Sequence, residues 1–172
     1  MTAIQMLDAK ASRRSPDRSG SEADLVQVLV RRLRADWPTR AIAIEVRSHG
    51  RCRTDVCVSV RDLHAPLGSD LLIGVEAKLT DWTRALRQAI LNRYAVDASL
   101  IAMPIQRIGS QVLDLADEHG IGVLGVQTNG LTLLLPAVVG SPDTALRERM
   151  AAQLHPTKAR GRARVDDLVR GR

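Results

Sequence analysis

Two periods of hydrophobic positions alternate along this chain. Leu25, Val28, Leu29 and Leu33 recur at helical spacing, predicting a first helix that runs to about Asp36 and stops before Pro38. Ser21 suits its N-cap, with Asp24 three residues on as a short relative of the capping box. The stretches AIAIEV (41–46) and TDVCVSV (54–60) are β-branched or apolar, and the turn signal Ser48-His49-Gly50-Arg51 between them predicts a hairpin. A loop with His64, Pro66 and Gly68 leads to a third strand, Leu71 to Lys78. From Asp81 to about Tyr94 the period returns to helix, with Trp82, Leu86, Ala89 and Ile90 on one apolar face. SLIAMP (99–104) reads as a short buried strand. Ile108, Val112, Leu115 and Ala116 mark another helix, closed by His119 and Gly120. IGVLGV (121–126) is strand again, Thr128-Asn129-Gly130 a tight turn into LTLLLP, and a last helix is predicted over about 143–154.

This order predicts an α/β (mixed α+β) fold: a central mixed sheet of four to six strands flanked by helices. Three antiparallel strands come first, and a right-handed parallel crossover follows. The expected organisation is a flexible basic leader (1–20), a core (21–140), and a C-terminal helix with a basic tail (141–172).

Composition narrows the picture. With 172 residues, 45% of them hydrophobic, one core is affordable, and it must be aliphatic because Phe is absent and the rings are Trp37, Trp82 and Tyr94. No apolar run approaches the roughly 20 residues that span a bilayer, and residues 1–20 lack a secretory apolar segment. No membrane partner is expected, and a cytoplasmic location is. Cys52 and Cys57 sit five apart in one predicted strand, so they point to opposite faces and read as two reduced thiols.

The net charge is +6, but it is uneven. Residues 1–20 carry four basic and two acidic groups, residues 156–172 six and two, and the stretch between them fifteen of each. The excess belongs to the ends, which suits grip on phosphates without sequence reading, or simply solubility.

The chemistry-bearing residues lie in the second and third strands. Glu76 and Lys78, two apart, project to one face of a strand that otherwise reads as continuous aliphatic, LLIGVEA. Asp55 interrupts its own apolar run in the same way, and the link 61–70 would bring it across from Glu76. Burying such charges is costly unless they are paired or bind metal. Two carboxylates at a strand end make a hard-oxygen site suited to Mg²⁺, to which the Ala77 carbonyl could add a ligand. A plain ion pair at a sheet end is the alternative reading of the same residues.

The string GVEAKLTDWTRALRQAI, preceded by RTDVCVSV and followed by SLIAMP, resembles the PD-(D/E)XK nuclease superfamily of restriction endonucleases, resolvases and RecB-like nucleases. The resemblance covers about residues 21–126 and includes the element order. It implies a restriction endonuclease-like core in which Asp55 and Glu76 hold Mg²⁺ (or Mn²⁺) and Lys78 is the catalytic lysine. Glu22 resembles the helix-borne acid many members add, although an acid in a first turn also suits the helix dipole. Gln88 resembles a glutamine that RecB-like members place beside the site. Those members carry tyrosine four residues later, where this chain has Asn92, and Thr54 stands where proline commonly precedes the first acid.

The implied activity is metal-dependent hydrolysis of phosphodiester bonds in nucleic acid, DNA in the first instance, by endonucleolytic cutting. Arg84 and Arg87, with Arg93, are expected along a phosphate-facing groove, and Arg160, Arg162 and Arg164 in the tail. A homodimer or separate partner proteins both stay open. The alternative is a catalytically silent nuclease-fold module that binds nucleic acid or assembles with partners. No glycine-rich phosphate loop supports a small-ligand enzyme, since Gly120-Ile121-Gly122 opens a strand.

Overall fold

Helix α1 (Glu22–Asp36) begins where the sequence places its cap: the Ser21 side chain accepts the Asp24 N–H. It buries Leu25, Leu29, Val30 and Leu33, and it ends as Trp37 turns extended before Pro38. Thr39 Oγ1 then donates to the Leu33 carbonyl at 2.9 Å, satisfying one of the exposed acceptors of the helix end. The structure is a computed structural model and describes residues 20–48, 53–61, 70–158 and 168–170. The expected leader, Cys52, His49, His64, and Arg160, Arg162 and Arg164 therefore lie outside the described residues.

Strands β1 (Thr39–Arg47), β2 (Arg53–Arg61) and β3 (Asp70–Ala77) pair antiparallel in succession. After helix α2 (Trp82–Asn92), β4 (Ala98–Pro104) runs parallel to β3. A 3-10 turn (Ile105–Arg107) and helix α3 (Ser110–Glu118) lead to β5 (Gly122–Gln127), parallel to β4, which hairpins into β6 (Gly130–Leu135). A short β7 (Ala137–Val138), helix α4 (Thr144–Ala151), β8 (His155–Pro156) and β9 (Val169–Arg170) complete the order.

The main sheet runs β6-β5-β4-β3-β2-β1-β8, seven strands rather than the four to six expected. The additional member, β8, is a two-residue pairing with β1, too short to show any alternation in sequence. The separate parallel pair β7–β9 escapes notice for the same reason. The sheet is covered on both sides. Val56, Val58, Ile73 and Val75 face α1, whereas Leu72 and Cys57 point the other way, to Met150 of α4. On that second side Ile101 and Val123 pack on Ala85, Leu86 and Ala89 of α2 and on Val112 and Ala116 of α3. Two-sided cover explains why β3 reads as nearly unbroken aliphatic sequence. Cys57 is fully buried, and burial first, then the charge of Asp97, pushes its thiol up to about 12, so it stays protonated.

The described parts of the stretch expected as a C-terminal helix and basic tail, 141–158 and 168–170, are stitched into the packing. Arg147 of α4 binds the Asp97 carboxylate and the Asp70 carbonyl, Gln153 bridges the backbone of Arg47, and Val169 pairs with Ala137. No helix among the described residues is long and apolar enough to cross a membrane.

Helix α3 ends as its sequence foretold. Gly120 adopts φ +66°, its N–H reaches the Asp117 carbonyl, and the Ile121 N–H reaches that of Ala116, the two bonds of a Schellman cap. A Cβ at Gly120 would stand 3.0 Å from the Val138 Cβ. Gly120→Ala is therefore expected to destabilise the protein by about 1–3 kcal/mol in urea unfolding, through the left-handed backbone and this contact together. An unchanged midpoint would mean that the cap is not formed.

Candidate active site

The register of β2 on β3 sets the site. Val56 pairs with Val75 and Cys57 with Gly74, so one step further places Asp55 opposite Glu76, with both side chains on the face covered by α2. At this point the pairing ends and the carboxylate takes over. Asp55 Oδ2 accepts the Ala77 N–H at 2.9 Å. Beyond the strand, Lys78 folds back: its Nζ lies 3.4 Å from Asp55 Oδ2, 3.2 Å from Glu22 Oε2 and 3.1 Å from the Ala77 carbonyl oxygen. Glu22 therefore comes to the cluster from the opposite layer, carried by the first turn of α1.

Glu76 is fully buried. Its Oε1 accepts a 2.6 Å hydrogen bond from the Asn92 side-chain amide, while Oε2 is buried with no partner among the described residues. Burial raises its pKa most, the charge of Asp55 and a hydrogen bond shared with that carboxylate add to it, and Asn92 and Lys78 offset only part, so the carboxyl is pushed up to about 8. The Lys78 pKa is raised as well, which keeps a lysine charged. Burial works against its ammonium, but Asp55 and Glu22 outweigh that and hold its pKa above the usual value, so Lys78 remains a cation.

Asp55, Glu76, Lys78 and Glu22 are thus brought together, with the Ala77 carbonyl against the Lys78 ammonium. Gln88 is not joined to it: its Oε1 is buried without a partner, and no hydrogen bond links it to Asp55, Glu76 or Lys78. Arg84 and Arg87 sit on the exposed side of α2, where their charges act on the capping residue Asp81. Arg93, expected beside them on the groove, instead donates to the His119 carbonyl at 2.7 Å, tying α2 to the end of α3. Its place at the C-cap of α2 turns it toward that loop.

Asn92 is the contact that sequence reasoning passed over, seeing there only a missing tyrosine. A signal existed: Ala85, Ala89 and Asn92 share one stripe of α2, and an amide on a buried stripe wants a polar partner. That partner is Glu76.

No group of three His, Cys, Asp or Glu side chains that could hold a metal ion occurs among the described residues. The available donors are the Asp55 and Glu76 carboxylates and the Ala77 carbonyl. Mg²⁺ commonly takes one or two carboxylates and completes its shell with water and phosphate oxygens, so two carboxylates suit it. A buried, unpartnered Glu76 oxygen beside a second carboxylate fits a divalent cation, which would compensate both.

Compared with known proteins, the chain matches no family model and no curated protein. Its fold is shared with a solved structure, the SPO1766 protein of unknown function from Silicibacter pomeroyi. The two are 17% identical with a TM-score of 0.57, over 75% of this chain and 80% of that one. At that identity the likeness shows the fold alone.

Proposed function

We propose that this chain is a metal-dependent phosphodiesterase acting on nucleic acid, DNA in the first instance, built on a PD-(D/E)XK, restriction endonuclease-like core and cutting endonucleolytically. One observation carries the reading: acids from two neighbouring strands meet a lysine cation, and one acid keeps a buried oxygen without a partner. Asp55 and Glu76 would hold Mg²⁺ or Mn²⁺, with the Ala77 carbonyl beside them. The bound ion supplies positive charge against the scissile phosphate and acidifies water.

The remaining work falls to the chain's own groups. Lys78, held protonated by Glu22 and Asp55, presents a fixed ammonium to negative charge building on the phosphate and orients the attacking water. In that role it acts as a charge stabiliser. Asn92 fixes the Glu76 carboxylate through Oε1 and leaves Oε2 for a ligand. Gln88 and Glu22 differ in standing: Glu22 positions Lys78, whereas Gln88 reaches the site only if substrate or metal draws it there.

Incubating the purified chain with plasmid and single-stranded DNA tests this. Cleavage should require Mg²⁺ or Mn²⁺ and vanish in EDTA. A chain that binds the cation yet hydrolyses none of these substrates would favour the second reading, a silent nuclease-fold binding or assembly module. That reading draws support from Lys78 Nζ, which already engages both Asp55 and the Ala77 carbonyl.

A further inference from the structure

A groove of about 620 Å³ runs between the last turns of α1 and the segment after β8, lined by Arg31, Arg34, Ala35, Pro156, Thr157 and Lys158. Three of the six are cations and none is an acid. The nearest acid in sequence, Asp36, is half-buried one residue beyond Ala35. Basic residues at a helix end favour its dipole, which accounts for Arg34, but Lys158 comes from another part of the chain. Its position is built. The Thr157 N–H donates to the Arg40 carbonyl at 2.7 Å and Thr157 Oγ1 to the Thr39 carbonyl at 2.9 Å, clamping this segment where α1 passes into β1. The neutral charge count of the core conceals Arg31 and Arg34, because α1 also carries Glu22 and Asp24 at its opposite end and Asp36 at its last position.

That opposite end touches the candidate active site, through Glu22 and Lys78. Arg31 and Arg34 follow Glu22 by nine and twelve residues, hence lie about 13 and 18 Å further along the helix axis and about 180° and 120° around it, on its solvent side. We propose that the groove of Arg31, Arg34 and Lys158 binds the phosphate backbone of duplex DNA flanking the cut site. This rests on the nuclease reading and adds a place for the substrate's flank to it. Backbone contact of this kind carries affinity and register rather than sequence.

The test compares Arg31→Ala/Arg34→Ala with Arg47→Ala/Arg149→Ala, which removes the same charge from exposed arginines outside the groove. Binding of a short labelled duplex is followed by anisotropy in EDTA across roughly 50 to 200 mM NaCl, and cleavage is followed separately in Mg²⁺. In the groove variant, the slope of log K against log salt should become shallower by about 1.8, two phosphate contacts' worth, with KM raised and kcat retained. The control pair should keep the parental slope. Equal losses in both variants would overturn the groove assignment and leave the nuclease reading standing. A parent protein that neither binds nor cuts DNA would overturn both.

Discussion

Glu76→Gln is expected to lower metal-dependent cleavage by at least about 100-fold, the scale of losing a preorganised electrostatic contact, while making the metal-free protein more stable. The two effects share a cause. Glu76 is fully buried, opposite Asp55, with one oxygen unpartnered, so its charged form is strained unless a cation joins it. Its carboxyl is raised in the folded state from 4.5 to about 8, so the folded protein binds more protons than the unfolded chain between these values. Metal-free stability should therefore be greatest below about pH 4.5 as far as this group is concerned. It should fall as pH rises toward 8 and level off above it, by on the order of a few kcal/mol in total. Glutamine keeps the acceptor for Asn92, offers an amide to Asp55, and removes the slope. Thermal unfolding across pH checks this: the variant should lead the parent increasingly from pH 5 to pH 8. Saturating Mg²⁺ should raise the melting temperature of the parent alone, since only a state that binds the ion is stabilised by it. Equal Mg²⁺ stabilisation of both would remove Glu76 from the site. Lys78→Ala should lower cleavage by a similar factor, because no other cation approaches Asp55 among the described residues.

Arg147→Met should produce the largest loss of stability, about 2–4 kcal/mol in urea unfolding. Arg147 grips Asp97 through Nε at 2.8 Å and Nη2 at 2.7 Å and donates to the Asp70 carbonyl at 2.8 Å. Asp97 is 12% exposed, and its Oδ2 also accepts the Leu72 N–H. Without the guanidinium a nearly buried carboxylate is left uncompensated, and α4 loses its tie to the starts of β3 and β4. Methionine retains the aliphatic packing, so the loss isolates the charge. Arg147→Met/Asp97→Asn should recover part of it. Because the pair lies at the opposite ends of β3 and β4 from Glu76, metal affinity of the folded protein should not change. A single variant within about 0.5 kcal/mol of the parent would show that the pair is no clamp.

Periodicity revealed the long elements because each has one buried stripe or face: the α1 stripe through Leu33, the fully covered β3, and the Gly120 terminus of α3 all stand where the sequence puts them. Two-residue pairings such as β8 and β7–β9 have no period to detect, and their partners are distant in sequence. The clustering of Asp55, Glu76 and Lys78 was legible from strand parity, since neighbouring antiparallel strands with fixed register leave few places for their polar exceptions. Glu22 needed the α1 layer to meet the strand end. Asn92 was hidden by comparison with a tyrosine pattern, although its place on the apolar stripe of α2 marked it. The groove was invisible in charge totals, because the acids of α1 cancel Arg31 and Arg34 there and Lys158 counts with the basic tail.

Together, the carboxylates of Asp55 and Glu76 should capture a divalent cation. Crystals soaked in Mn²⁺ and measured at its absorption edge test it directly. An anomalous peak within about 2.0–2.5 Å of an oxygen of each carboxylate is the predicted result. Clear density for both side chains with no peak between them at saturating Mn²⁺, and Lys78 still bound to Asp55, would contradict it.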